Sequence, residues 1–219
     1  MNLFASWGLL GLLVSASLLV ITNSWRLKLT ALAAQYVCVA VLLTQIVIWQ
    51  VVLVRLIVGA GIVGILMLTS RELTGFYPWT RGAPAAPSPA APLSVLSTFL
   101  KSEFSADFPF RVVVVALAIV VAGSLAGQPN AVLQGLTPSL KMAGYLLCGL
   151  SLLSLGLSEE PLRAGLSLLT LLSGFELLYV VVEPSLAILA LLAAVDFGVA
   201  LGVSYLALLT QADRKEPPA

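Results

Sequence analysis

The chain has 219 residues, of which 60% are hydrophobic and 10% are charged, and its formal net charge is +1. A typical soluble domain has about 45–50% apolar and about 25% charged residues, so this composition excludes an ordinary water-soluble domain and a disordered chain. A membrane-spanning helix needs about 20 apolar residues, which leaves room for about six to eight spans. The near-neutral charge gives no reason to expect nucleic acid as a partner.

The sequence contains no His and only two Cys residues, Cys38 and Cys148. The lack of His excludes His-ligated haem, His-ligated zinc and a Ser-His-Asp triad. An iron–sulfur cluster needs about four cysteines, so this chain cannot hold one alone, and its two thiols are expected to be small buried hydrophobic groups. No phosphate-binding glycine loop is found. The sequence therefore predicts no cofactor and no metal site within this chain.

Apolar runs at the N-terminus predict three transmembrane helices. The first is Leu3–Thr22. Basic residues follow it instead of preceding it, which is the reverse of a cleavable signal peptide, so we expect a retained helix. The next apolar stretch, Leu29–Ser70, is too long for one span and about right for two. A turn near residues 47–51 is predicted to divide it into helices over 29–47 and 51–70.

The middle of the chain is less apolar. Residues 71–109 predict a cytoplasmic loop, in which the Pro/Ala-rich segment Gly82–Pro92 cannot be a continuous helix. Residues 93–108 mix apolar and charged side chains, which favours a short helix at the membrane interface. A fourth span, Phe110–Ala126, follows, and residues 131–141 are predicted to be a polar connection.

Three further apolar runs, Met142–Leu157, Leu162–Val182 and Ser185–Thr210, complete the predicted set of seven helices. Two predicted turns with acidic residues and proline separate them, one at Glu159–Pro161 and one at Glu183 and Pro184. The predicted organisation is an N-terminal three-helix segment 1–70, the loop 71–109, the fourth helix with its connection 110–141, a three-helix module 142–210 and a charged tail 211–219.

The distribution of basic residues predicts the orientation. If the N-terminus is outside, nine of the 11 Lys and Arg residues fall on the cytoplasmic side, and only Arg55 and Lys141 fall on the other. Six spans would break this alternation. The sequence thus predicts an all-α integral membrane protein with about seven transmembrane helices, its N-terminus outside and its C-terminus cytoplasmic.

Two acids lie inside apolar runs: Glu176 in LLSGFELLYVV and Asp196 in LALLAAVDFGVALGV. Because a carboxylate in hydrocarbon costs about 2.5–3.5 kcal/mol even on lenient insertion scales, such a residue is a functional candidate by default. The two helices are consecutive and antiparallel, and the acids differ in depth by about 7 Å. We therefore predict one polar layer in which buried carboxyls exchange protons near physiological pH. The alternative is a protonated carboxyl that only hydrogen-bonds a neighbouring helix.

Arg55 is a basic residue inside an apolar run, WQVVLVRLIVGAG. Because it lies about five residues inside the predicted helix, its side chain can extend to the headgroups. The alternative is a counter-ion for a carboxylate of a neighbouring subunit. In the same helix, Gly59, Gly61 and Gly64 predict close helix contact, with a flexible hinge as the second interpretation.

The C-terminal part of the chain resembles the small K subunit of respiratory complex I. That family has a glutamate of the GLE type on one helix and, on the next, an acid after small residues and before a Gly-rich run. Here SGFELL, Ser173–Leu178, matches the first feature and AAVDFGVALG, Ala193–Gly202, matches the second. The resemblance implies that Glu176 and Asp196 are the membrane carboxylates of a proton path.

The chain is longer than the K subunit, and its length and Asp196 are more similar to hydrogenase-4 component E, a K-like module extended at its N-terminus. That family belongs to the membrane arm of group 4 nickel–iron hydrogenases. Leu27–Trp49 resembles its second helix, and Val54–Leu68 resembles the glycine-containing third helix of the complex I J subunit. The Pro/Ala-rich loop at residues 82–92 departs from the family pattern.

These resemblances imply a subunit of an energy-converting complex in the cytoplasmic (inner) membrane, relaying protons between antiporter-like and K/J-like neighbours. Redox centres (iron–sulfur clusters, with nickel–iron or flavin groups) are then expected in partner subunits. One alternative is a subunit of a multisubunit cation/proton antiporter, and another is a structural membrane anchor. The lack of recognisable inverted repeats weighs against an autonomous transporter.

Overall fold

The computed structural model describes residues 3–22, 24–44, 49–76, 108–128, 137–158, 160–180 and 185–213. Every element in these ranges is an α-helix. In chain order the helices are α1 (Leu3–Ile21), α2 (Trp25–Leu43), α3 (Trp49–Phe76), α4 (Phe108–Ala126), α5 (Pro138–Gly156), α6 (Pro161–Tyr179) and α7 (Leu186–Asp213).

The helices α3 to α7 are each long and apolar enough to cross a membrane. The apolar parts described for α1 and α2 are shorter, Trp7–Ile21 and Leu27–Leu43. Large apolar side chains such as Leu117 and Val120 of α4 are exposed on the outside of the bundle, where lipid would cover them. The chain is therefore an all-helical, multi-pass membrane protein, as its composition predicts.

Several predicted helix boundaries are wrong. The second helix is Trp25–Leu43 and not 29–47, and the last helix continues past Thr210 to Asp213. The helix α3 continues to Phe76 instead of ending at residue 70, because no proline interrupts it before Pro78. The helix α5 begins at Pro138 and not at Met142, so the end of the predicted connection is helical. Pro138 is suited to the first turn of a helix, and the extended backbone of Thr137 precedes it as the N-cap.

Several predictions concern residues that lie wholly or partly outside the described ranges. The Pro/Ala-rich segment 82–92 and the predicted interfacial helix lie outside the described residues, apart from Phe108, which begins α4. The predicted turn near residues 47–51 lies partly outside them, and Trp49 already belongs to α3. The predicted turn at Glu183 and Pro184 also lies outside.

The helices form one bundle in which each helix except α3 packs against the next one along the chain. Contacts run from α1 to α2, to α3, to α7, to α6, to α5 and back to α1, while α4 packs outside against α5 and α1. Across the middle of this ring, α2 touches α6. As a result, the N-terminal helices α2 and α3 lie directly against the C-terminal helices α6 and α7.

Two apolar clusters fill the bundle. One joins α1, α2, α4 and α5 around Leu12, Leu42 and Leu147, and the other joins α2, α3, α6 and α7 around Leu32, Ile62 and Leu169. All six of these side chains are fully buried. The polar groups of the candidate site lie beside the second cluster, between α2, α3, α6 and α7.

Small residues let the helices approach closely. A Cβ atom at Gly59 would lie 2.8 Å from Tyr36 Cγ of α2, and one at Gly61 would lie 2.9 Å from Phe197 Cζ of α7. By contrast, a Cβ at Gly64 would meet nothing within 4 Å. The close-contact interpretation thus holds for Gly59 and Gly61 but not for Gly64.

The contact between α5 and α6 provides a test of this packing. A Cβ atom at Gly174 would lie 3.0 Å from the backbone N of Cys148, which cannot move aside as a side chain can. We expect Gly174→Ala to lower the free energy of unfolding by about 1–3 kcal/mol, as overpacking does. Thermal unfolding in mild detergent measures this effect. Gly149→Ala is the matched control, since a Cβ at Gly149 meets nothing within 4 Å. Equal unfolding midpoints for the two variants would contradict the packing described here.

Candidate functional site

The three residues singled out in the sequence meet in the interior of the bundle. Arg55 comes from α3, Glu176 from α6 and Asp196 from α7, and their exposed fractions are 4%, 4% and 2%. Two consecutive helices, α6 and α7, and the distant helix α3 therefore bring two acids and one cation to a single buried point, here called the arginine–carboxylate cluster.

The guanidinium of Arg55 bridges the two acids. Its Nη2 lies 2.6 Å from Glu176 Oε2, and its Nη1 donates to Asp196 Oδ2 at 2.6 Å. The Nη2 group also donates to Ser173 Oγ at 3.1 Å. Charge-assisted hydrogen bonds of this length are among the stronger polar contacts in proteins. The planar fork of arginine suits such a double contact better than the single ammonium of lysine would.

Of the two interpretations offered for Arg55 from the sequence, the counter-ion describes its position, but its carboxylate partners lie in the same chain and not in a neighbouring subunit. Its side chain does not reach the end of the bundle, and its partners belong to the same chain. Because α3 begins at Trp49, Arg55 lies about 9 Å along the helix from its first residue. The side chain therefore turns into the bundle, towards the acids of α6 and α7.

Tyr36 of α2, the fourth helix to contribute to the cluster, covers the guanidinium of Arg55. The Arg55 Cζ atom lies 5.0 Å from the centre of the Tyr36 ring, a cation–π contact. The ring is 2% exposed and fits against α3 because Gly59, one turn beyond Arg55, has no side chain. The glycine that sequence analysis assigned to packing therefore also positions the aromatic cover of the cluster.

A row of polar residues leads along α6 to the cluster. Ser167, Thr170, Ser173 and Glu176 are spaced by three residues, so the row winds around the helix instead of staying on one face. The first residue faces α5, where its hydroxyl lies 2.8 Å from that of Ser154. The last two face Arg55 of α3.

Between these ends the row faces α2. The Thr170 Oγ1 atom lies 3.4 Å from Gln35 Oε1, and both residues are buried. Gln35 Nε2 and Arg55 Nε have no hydrogen-bond partner among the described residues. Buried polar atoms of this kind are usually satisfied by ordered water.

Sequence reasoning missed Gln35, Tyr36, Thr170 and Ser173. One signal for the α6 residues was present, since polar side chains recur at every third position up to Glu176. Gln35 and Tyr36 are an adjacent polar pair within an otherwise apolar run, but nothing in the local sequence indicates which helix they face.

A cavity of about 320 Å³ adjoins the cluster and is lined by the first half of α3 and of α7. Its polar lining residues are Gln50, Arg55 and Glu176. Its remaining walls are apolar: Val51, Val54 and Val58 of α3, and Leu186, Leu189, Ala190 and Ala193 of α7. We call this space the α3–α7 cavity.

The cluster is not built as a metal site. Within the described ranges, no group of three His, Cys, Asp or Glu side chains is close enough to hold a metal ion. The two thiols, Cys38 of α2 and Cys148 of α5, are half-buried and unbridged. The guanidinium of Arg55 occupies the place between the carboxylates that a cation would take.

Comparison with known proteins adds no relative: the chain matches no protein-family model, no curated protein and no solved structure.

The pairing of Arg55 with two acids predicts an asymmetric response to substitution. Arg55→Gln leaves Glu176 and Asp196 buried without a cation, and removal of one partner from a buried ion pair costs about 3–5 kcal/mol. We expect a large loss of thermal stability in detergent. The control Lys141→Gln, at a half-buried cation in the first turn of α5, should have little effect.

A triple variant separates charge from packing. Combining Arg55→Gln with Glu176→Gln and Asp196→Asn removes all three charges, so part of the stability lost in the single variant should return. If the triple variant were less stable than Arg55→Gln by the sum of the stability losses of Glu176→Gln and Asp196→Asn alone, electrostatic coupling between the three residues would be contradicted.

Proposed function

We propose that this protein is a membrane subunit that relays protons through Glu176 and Asp196, within an energy-converting complex whose redox chemistry belongs to partner subunits. The observation that carries this proposal is the contact of one buried guanidinium with two buried carboxyls at 2.6 Å each. The resemblance of residues 173–202 to the K-like module supports it.

Charge balance is the physical basis of the proposal. One cation and two ionised acids leave a net negative charge, which an apolar interior strongly disfavours. A neutral cluster holds one proton on its two carboxyls. Because Arg55 contacts both, it stabilises the carboxylate on either side, so the proton can reside on Glu176 or on Asp196 at similar cost. A site of this kind can accept, hold and pass on one proton.

The surroundings of the cluster support passage across the bundle. The α3–α7 cavity leads to Glu176 from one end. The polar row of α6 leads from Ser173 towards Ser167 and Ser154 at the other end. Water at the buried donors Gln35 Nε2 and Arg55 Nε would complete hydrogen-bonded contact along this row.

The same geometry favours protons over sodium ions. A sodium site needs several oxygen ligands around an open position, whereas the position between these carboxylates holds a positively charged guanidinium. This arrangement weighs against the cation exchange of the antiporter alternative.

We propose seven spans with the N-terminus outside, in the cytoplasmic membrane, which places the α3–α7 cavity on the outer side and agrees with the distribution of Lys and Arg.

Substitution of the acids tests proton transfer. Glu176→Gln and Asp196→Asn keep a hydrogen-bonding group for Arg55 but cannot exchange a proton. We expect both variants to assemble with the same membrane subunits, measured by co-purification in mild detergent, and to lose most of the proton pumping coupled to electron flow. Glu160→Gln, at an exposed acid, is the matched control and should pump normally. Assembly with wild-type pumping in both variants would show that the acids serve packing alone.

Chemical labelling tests access to the cluster. In a background with Cys38→Ala and Cys148→Ala, the variants Val51→Cys and Ala193→Cys place a thiol on the wall of the α3–α7 cavity, at positions that are not exposed on the outside of the bundle. We expect a water-soluble maleimide to label both from the outer side of right-side-out vesicles. Leu117→Cys, on the lipid-facing surface of α4, should stay unlabelled. Labelling of the cavity positions only from the cytoplasmic side would reverse the proposed orientation.

A further inference from the structure

The α3–α7 cavity is large, and most of its wall is apolar. Its volume is about 320 Å³, and seven of its ten described lining residues are Val, Leu or Ala. Protein interiors leave few voids larger than a water molecule, and a buried water needs about two to four polar partners. Because such partners are found only at Gln50, Arg55 and Glu176 among these residues, most of the volume is suited to an apolar molecule and not to water.

The cavity also meets the outer surface of the bundle. Val54 of α3 and Leu186 of α7 line it, and their exposed fractions are 56% and 69%. These two side chains therefore lie where the space opens between α3 and α7. Exposed apolar surface on a membrane-spanning bundle faces lipid. A molecule dissolved in the bilayer can thus enter the cavity from the side, without crossing an aqueous phase.

The polar part of the cavity belongs to the arginine–carboxylate cluster. Arg55 and Glu176 line the cavity, and each is 4% exposed. A carboxylate only accepts hydrogen bonds, whereas a protonated carboxyl also donates one. A hydroxyl group matches both forms, because it donates one hydrogen bond and accepts others. An anionic group does not match, because the cluster already holds two acids against one cation.

The volume sets the size of the apolar part of the ligand. An engineered apolar cavity of about 150 Å³ binds the six carbon atoms of benzene. On the same scale, a cavity of about 320 Å³ has room for roughly twelve carbon atoms. The acyl chain of a phospholipid could lie along these walls, but its methyl end offers no hydrogen bond to Arg55 or Glu176. A chain of this length with a terminal hydroxyl matches both the walls and the polar part.

We propose that the α3–α7 cavity binds a neutral long-chain alcohol, with its hydroxyl at Arg55 and Glu176 and its chain along the apolar walls. Binding does not depend on proton transfer, because a hydroxyl can contact the Glu176 carboxyl whether or not that group exchanges its proton. A bound alcohol would also occupy the space beside Glu176 and slow proton uptake there, a consequence that rests on the proposed function.

Photocrosslinking tests the proposal on the full-length protein in phosphatidylcholine nanodiscs. The probe is dodecan-1-ol with a diazirine in the middle of its chain, and the crosslinked residues are identified by mass spectrometry. We expect saturable crosslinking to Val58 of α3 and Leu189 of α7, which both line the cavity. Unlabelled dodecan-1-ol should compete, and about tenfold more dodecane should be needed for the same effect, as expected for the loss of one buried hydrogen bond.

A pair of adjacent substitutions on α7 tests the location. Ala193 lines the cavity, whereas Ala194 is exposed on the outside of the bundle. Ala193→Leu places a larger side chain in the space that the alcohol would fill, so we expect the probe concentration at half-saturation to rise about fivefold or more. Ala194→Leu makes the same change in composition on the outer side of α7 and should leave this concentration unchanged.

The outcomes that would overturn the proposal are distinct. Crosslinking that does not saturate, or that is equally strong at the exposed Leu117 of α4, would overturn the site, as would equal effects of Ala193→Leu and Ala194→Leu. Equal competition by dodecane would overturn the alcohol assignment in favour of an acyl chain, and this comparison uses only the wild-type protein. None of these results bears on the proposed function, which wild-type pumping in Glu176→Gln and Asp196→Asn would overturn instead.

Discussion

The contact of Arg55 with Glu176 and Asp196 is the constraint on which the rest of the structure depends. Charged groups inside an apolar bundle are tolerated only when they are paired and hydrogen-bonded. Here one guanidinium is the partner of both carboxylates, at 2.6 Å from each. The contact fixes the register of α3 against α6 and α7. Together with the contacts of α1 with α5 and of α2 with α6, it joins the N-terminal helices and the C-terminal helices α5 to α7 in one bundle.

The neighbouring features follow from the need to bury this cluster. Tyr36 covers the guanidinium, and Gly59 leaves the space for its ring. Ser173 takes the remaining Nη2 hydrogen bond. The cluster contains one more acid than base, so in the proposed function it holds a proton as well as joining helices. Under that proposal, proton transfer and packing use the same contact.

The fold was largely predictable, because long apolar runs separated by proline, glycine and charged residues leave few alternatives to membrane helices. Errors occurred at the helix ends, as at Phe76 and Pro138, where capping and the absence of a breaker decide the boundary. For the site, Glu176 and Asp196 could be predicted, since acids in hydrocarbon stand out. The partner of Arg55 could not be predicted, because it depends on how α3 packs against helices more than 100 residues away, which local sequence does not encode.

We propose that Glu176 and Asp196 share one exchangeable proton next to Arg55. Infrared difference spectroscopy of the purified protein across a pH titration can detect this proton, because a protonated carboxyl has a C=O stretch that shifts in deuterated water. We expect one such buried carboxyl signal at neutral pH, which changes in Glu176→Gln and in Asp196→Asn and persists in Glu160→Gln. Two fully ionised carboxylates at neutral pH, with no protonated signal lost in either variant, would contradict it.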